Sequence, residues 1–155
     1  MPDQHVPPNH HIVRHAKSRL YDRATGVAEG AAFLLRPPTP ERAAEEGLST
    51  NWREFFPGTV EEQIEQIRRL RRLQWKPSEH LLELNVQQVL DTLSELGLEP
   101  SVVVAPVREE NGYPADDSHS EILGLPLAED PDAARKAGDR LALVVTAAYP
   151  AMPKA

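Results

Sequence analysis

An arginine and a histidine stand side by side at Arg14-His15, directly after the apolar pair Ile12-Val13 and before Ala16-Lys17-Ser18. A guanidinium offers a rigid fork of donors suited to phosphoryl oxygens, and an imidazole beside it can act as nucleophile or proton carrier. Far along the chain lies Asp117-Ser118-His119-Ser120-Glu121. If that stretch is extended, Asp117, His119 and Glu121 share one face, because strand side chains alternate with period two. Such a face could hold a metal, or pair a carboxylate with the histidine and so fix its tautomer. Between these two blocks is Leu48-Ser49-Thr50-Asn51-Trp52, whose polar residues could bind a ligand. The same residues are natural N-caps for a helix beginning at Trp52, and that structural reading is the stronger one. The catalytic candidates are therefore His15 and His119, and the ligand-binding candidates are Arg14, Ser49, Asn51 and Glu121.

Two further clusters read as structural. His10, His11 and His15 could ligate a transition metal, but no carboxylate partner is fixed beside them in sequence, so no metal site is assigned and no cofactor is implied. Arg68, Arg69, Arg71, Arg72 and Lys76 surround Trp75, a combination that could grip phosphates or stack on a base. Ile64, Ile67, Leu70 and Leu73 take the core side of the same helical stretch, however. Glu61, Glu62 and Glu65 stand at helical spacing from Arg68 and Arg69, which predicts a solvated, ion-paired face.

The elements that must position these residues follow from pattern. His10–Ala16 reads as a short strand, residues 21–30 as a loop, and Ala31–Arg36 as a second strand stopped by Pro37-Pro38-Thr39-Pro40. Trp52, Phe55 and Phe56 form an aromatic anchor. Thr59 and Glu62 make a capping box for a helix over 59–74. Residues 79–86 read as a strand running into a helix that Gly97 ends, and Ser101–Val107 is the clearest strand. Ser120–Leu125 is another strand. Asp130-Pro131 starts a last helix whose apolar positions continue to Ala148. These elements predict an α+β fold: a single two-layer domain over 10–150 with four or five short strands and about three helices. Residues 1–9, rich in proline, are expected to be a flexible lead-in, and 151–155 a tail.

Composition narrows the function classes. The 155 residues carry a net charge of −7 and no cysteine. Disulfides, Fe–S clusters, thiolate zinc sites and cysteine nucleophiles are thereby excluded, which suits a cytoplasmic location. Charge is uneven: residues 1–40 sum to +2, residues 41–78 to 0 and residues 79–155 to −9. An acidic chain is a poor nucleic-acid ligand, because phosphates repel it and few counterions are released. No apolar run approaches the roughly 20 residues that span a bilayer, so no membrane association is expected.

Arg14-His15-Ala16-Lys17-Ser18 resembles the RHAKS-like opening of small histidine phosphatases. There the histidine attacks phosphorus while arginines hold the oxygens, so this local resemblance implies His15 as nucleophile and Arg14 as phosphate ligand. The second arginine of that family is not matched outside a predicted helix. Its second histidine follows a strand, whereas His119 follows Asp116-Asp117-Ser118. A broader resemblance, over most of residues 11–126, is to an uncharacterised family of small bacterial proteins. It rests on His11–Leu20, Ala32–Arg36, the LSxNW-like Leu48–Trp52 with Phe55-Phe56, Leu84-Asn85-Val86, and His119 with Ile122, Gly124, Leu125 and Pro126. This resemblance implies a bacterial, single-domain, cytosolic protein in which Arg14, Ser49, Asn51 and His119 converge. It transfers no activity. The expectation is a non-enzymatic binding or accessory module whose partner is a protein or a small anionic ligand. The alternative is an enzyme acting on a phosphorylated or nucleotide-like small molecule. That enzyme would be histidine-phosphatase-like, or ADP-ribosyltransferase-like with Arg14, Ser49 and Glu121 in the three roles.

Overall fold

The computed structural model describes residues 4–70, 76–110, 112 and 114–152. In chain order its strands are β1 (His11–Ala16), β2 (Tyr21–Asp22), β3 (Val27–Ala28), β4 (Leu48–Trp52), β5 (His80–Asn85), β6 (Ser101–Val104), β7 (His119–Leu123) and β8 (Ala147–Pro150). The helices are α1 (Val60–Leu70), α2 (Val86–Ser94) and α3 (Pro131–Leu143). Six strands form one sheet in the order β6-β7-β4-β1-β5-β8, and β2 and β3 make a small separate hairpin. Every neighbouring pair is antiparallel.

The α+β class holds, with more strands than the pattern predicts and helices on both sheet faces rather than one. Alternation explains the second difference. Ile12, Leu82 and Leu84 point to one face, where they pack with Phe33, Val86, Val89, Leu93, Ala137 and Leu141 from α2, α3 and the turn before β4. Val13 and Leu81 point to the other face, under Ile64 and Ile67 of α1 and beside Ala151. The inner strands are therefore buried on both sides, and His80 through Leu84 are all buried.

Local signals set the helix starts. At α1 the Thr59 backbone N–H donates to Glu62 and the Glu62 N–H returns to the Thr59 hydroxyl, both at 3.2 Å, completing the capping box. Residues 71–74 of the expected helix, with Trp75, lie outside the described residues. Asn85 caps α2 by accepting from the Gln88 N–H, and Gly97, at φ 80°, follows its end. Asp130 caps α3 with Pro131 in the first turn.

Three expectations are corrected. Ala31–Arg36 is not a strand: Gly30–Phe33 is a 3₁₀ turn that tucks Ala32 and Phe33 into the core. It lies so close to α3 that a Cβ on Gly138 would come within 2.5 Å of the Gly30 carbonyl oxygen. The last helix stops at Leu143 instead of running to Ala148, because the β-branched run after it feeds β8. The lead-in is tied down from Gln4 onward. Val6 is 2% exposed and its N–H donates to Val102 at 3.0 Å, while the Val104 N–H donates to Gln4 at 2.8 Å. Among the tail residues, Ala151 is buried and bonds to Glu79, and 153–155 lie outside the described residues.

A charged network lies beneath α1. Arg53 donates to Glu83, to Gln63 Oε1 at 3.0 Å and to Glu54 at 3.4 Å. Thr146 and Tyr149 donate to the Glu83 carboxylate at 2.8 and 2.9 Å, and His11 meets Glu54 at 2.6 Å. Burial alone would raise the Glu83 pKa. Hydrogen bonds from Thr146, Tyr149 and Arg53, with the Arg53 charge, outweigh it and hold the group below its ordinary value. Burial pushes Tyr149 up to about 12, helped by its bond to Glu83 and the negative charge there.

The two shifts act at opposite ends of the pH range. Glu83, held low, contributes stability above the ordinary carboxylate range that is lost as pH falls through its folded pKa. Tyr149, held high, contributes stability that is intact below its ordinary pKa of 10.0 and lost as pH rises to about 12. Replacing Arg53 by Met strands a buried carboxylate and is expected to cost roughly 3–5 kcal/mol in denaturant unfolding at neutral pH. Tyr149→Phe is expected to flatten the alkaline limb of the stability profile and, by taking one hydrogen bond from Glu83, to weaken the acid limb in part, since Thr146 and Arg53 remain.

Candidate functional site

Strand register settles which candidate side chains can meet. Asn51 is opposite Val13 on one side and His119 on the other, and Ser49 is opposite Glu121. His15 lies two residues from Val13 and pairs with Leu81. Alternation therefore puts His15, Ser49, Asn51, His119 and Glu121 on the α1 face of the sheet. Arg14 faces the other way. Asp117, expected to share the His119 face, sits exposed in the turn before β7.

Arg14 has a structural task that explains its position. The β1–β4 ladder pairs Ile12 with Trp52 and Val13 with Asn51. Past these pairs, the Arg14 guanidinium bridges the strands, with NH1 donating to the Ser49 carbonyl at 2.9 Å and Nε to the Ala32 carbonyl at 2.9 Å. It thereby satisfies backbone acceptors on β4 and on the 3₁₀ turn, groups that are costly to leave unpaired.

The residues of the other face are likewise engaged. His15 Nε2 lies 3.4 Å from the Glu79 carboxylate. Asn51 Nδ2 donates to Asp116 at 2.7 Å and to Ser118 Oγ at 3.0 Å. Ser118 donates from its N–H and its hydroxyl to the other Asp116 oxygen, at 3.0 and 2.6 Å. His119 donates from Nδ1 to the Ala105 carbonyl at 2.7 Å, which leaves Nε2 as the acceptor nitrogen. The Glu121 carboxylate lies over Gly47, where an added Cβ would collide with it. Ser49 and Glu121 are half-buried neighbours. His15 and His119 stand on strands separated by β4, roughly 10 Å apart across the sheet at about 4.8 Å per strand.

Register thus gathers Ser49 with Glu121 and Asn51 with His119, and separates Arg14's side chain from both pairs. Thr50, between them, turns to the opposite face and bonds to Ser120 Oγ at 2.7 Å. Ser49, Thr50 and Asn51 are not helix caps: β4 carries them, and the 3₁₀ turn Arg53–Phe55 that follows has no side-chain cap at Trp52. The aromatic anchor is partly at the surface. Phe55 is exposed, and Trp52 donates to His10 Nδ1 at 3.0 Å. Arg68, expected on a solvated face, is 3% exposed and donates to the Pro150 carbonyl at 2.8 Å, while Glu61 and Glu65 accept from its NH1 at 3.1 Å. Arg69 is solvated and ion-paired as predicted. Arg71, Arg72 and Trp75 lie outside the described residues.

Sequence reasoning missed Glu79, Glu54 and Asp116 as partners of His15, His11 and Asn51. Only Asp116 carried a local signal, the Asp-x-Ser spacing of a side-chain-capped turn. Among the described residues, no group of three or more His, Asp or Glu is arranged to hold a metal ion. Likewise, no helix among them is long and apolar enough to cross a membrane. Compared with protein-family models, curated proteins and solved structures, the chain matches none.

Asn51→Asp keeps the shape of the side chain and replaces its two donors with an acceptor facing Asp116. The variant is expected to lose roughly 1–3 kcal/mol of stability in urea unfolding, the cost of an unmatched buried polar group.

Proposed function

We propose that this chain is a non-enzymatic binding or accessory module of a bacterial cytosolic system. One observation carries the reading: the side chains best equipped for bond chemistry are each committed to holding the fold, and they do not converge. Arg14 bridges β4 and the 3₁₀ turn on one face of the sheet. His15 and His119 are on the other face, apart from one another, with the Glu79 carboxylate 3.4 Å from His15 Nε2 and the Ala105 carbonyl accepting from His119. A phosphoryl-transfer site needs nucleophile, proton carrier and oxyanion donors around one reacting atom. The residues of the RHAKS-like run supply no such arrangement. The absence of cysteine, and the resemblance of the Leu48–Trp52 block to an LSxNW-like motif in small bacterial proteins, support the setting. The charge difference between the two halves gives the chain complementary surfaces to offer a partner.

A second reading has one observation of its own. Ser49 sits directly across from Glu121, and its carbonyl receives the Arg14 guanidinium, so three residues of an ADP-ribosyltransferase-like set occupy adjacent strands β1, β4 and β7. That reading needs Arg14 on the face of Glu121, and it is on the other.

The two readings separate in one assay. Wild type, His15→Ala and Glu121→Gln are incubated with a panel of phosphomonoesters and nucleotides, and product is followed by chromatography. No turnover above buffer is expected from any of the three. Turnover by wild type that either substitution abolishes would replace the binding reading with an enzymatic one.

A further inference from the structure

A groove of about 570 Å³ runs between the β2–β3 hairpin and the turn that precedes β5. Its size is within the range of small-molecule sites. Ser18, Arg19, Tyr21, Arg23 and Ser78 supply its donors, and Asp22 and Glu29 its carboxylates.

Local backbone chemistry builds the walls. The 3₁₀ turn Ser18–Leu20 follows β1, and the Leu20 N–H donates to Lys17 at 2.9 Å. The hairpin closes at Gly26, whose φ of 71° needs a residue without a Cβ. Ser18 and Ser78 hydroxyls bond to each other across the groove. At the floor, His80 is 5% exposed, and its ring lies 4.6 Å from that of Tyr21. Its Nδ1 donates to the Ser78 carbonyl at 3.0 Å. With the ring hydrogen on Nδ1, Nε2 is the acceptor nitrogen, so His80 lines the groove as a packing and accepting group.

Charge in the groove is asymmetric in availability. Arg19 and Arg23 are exposed, and neither has an ion-pair partner among the described residues. Asp22 is turned into its own hairpin, accepting from the Ala24 N–H at 2.9 Å and the Thr25 N–H at 3.4 Å. Glu29 remains on the rim as the carboxylate free to accept from a ligand hydroxyl. Two guanidiniums, and the one hydroxyl hydrogen that the Ser18–Ser78 bond leaves over, are donors suited to the oxygens of a phosphate, while the carboxylates beside them suit the hydroxyls of the same ligand. The groove along α3 is lined from that one helix alone, by Asp132, Arg135, Lys136, Asp139, Arg140 and Leu143, the pattern of a solvated helix face, whereas this one is walled by two segments distant in the chain.

We propose that this groove binds a small phosphomonoester bearing hydroxyl groups, with Arg19 and Arg23 on the phosphate, the Ser18–Ser78 pair adding its remaining hydroxyl hydrogen and Glu29 accepting from a hydroxyl. The proposal deepens the binding-module reading and rests on it.

The test is isothermal titration of the full chain with inorganic phosphate, ribose 5-phosphate and ribose. Saturable binding of ribose 5-phosphate is expected, weaker binding of inorganic phosphate, and none of ribose. Arg19→Ala with Arg23→Ala is expected to weaken binding at least about tenfold, the scale of losing charge-assisted contacts. Both positions are exposed, so the fold should survive, and circular dichroism confirms it. Asn51→Asp, away from the groove, should bind as wild type does after correction for its folded fraction. No saturable binding by wild type at millimolar ligand, or unchanged affinity in the double variant, overturns the site and leaves the non-enzymatic reading standing. Release of inorganic phosphate from ribose 5-phosphate by wild type, lost in the double variant, confirms the groove as the phosphate site and overturns the non-enzymatic reading instead.

Discussion

Taking the Arg53 guanidinium out of water obliges the fold to match it, and the match is made by groups from separate parts of the chain. Glu83 comes from the middle of β5, Gln63 from α1 and Glu54 from the adjoining turn. The Glu83 carboxylate then engages Thr146 before β8 and Tyr149 within it. Moving any of these elements would leave a charge or a carboxylate unpaired in a buried place, where the penalty is several kcal/mol. The apolar contacts under α1 are few, chiefly Val13, Ile64, Ile67 and Leu81. On this face, polar geometry fixes where α1, β5 and β8 sit.

The opposite face is organised differently. Its apolar cluster is large, and polar groups enter this side at the buried Thr50–Ser120 pair and at Arg14, which reaches from β1 to the Ser49 and Ala32 carbonyls. On this side the guanidinium ties β1 to β4 and to the 3₁₀ turn, in addition to the packing. Arginine suits the task because its guanidinium presents several donors in a fixed plane. A residue pair that reads as catalytic in sequence is divided by strand alternation: Arg14 serves one face, and His15 meets Glu79 on the other.

Elements whose signals are local were legible in the sequence. The Thr59–Glu62 capping box, the Asp130-Pro131 start, Gly97 after α2 and the β-branched run at Ser101 each act within a few residues of themselves. Elements decided by distant partners were not. Ala31–Arg36 has strand composition, yet Phe33 and Ala32 are needed as a plug between β1 and α3, so the chain coils there. Val144 to Thr146 continue a helical apolar pattern, but the vacant edge of β5 draws the following residues into a strand. Among the candidate side chains, the shared face of His119 and Glu121 followed from period two alone. Their pairing with Asn51 and Ser49 depends on the β4–β7 register, which no local pattern encodes. The groove between Ser18 and Ser78 was invisible for the same reason, its two walls being 60 residues apart in the chain.

Strand order also carries a kinetic consequence. β1 lies in the interior of the sheet, but both of its neighbours come much later in the chain, and β4 in turn waits for β7. During synthesis β1 therefore emerges ahead of both complements, with one edge bare until β4 leaves the ribosome and the other until β5 does. Topologies dominated by such remote pairings assemble slowly, and their intermediates expose bare strand edges. Proline-rich segments and the charged turns around β1 would keep that waiting strand from joining its counterpart on a neighbouring nascent chain.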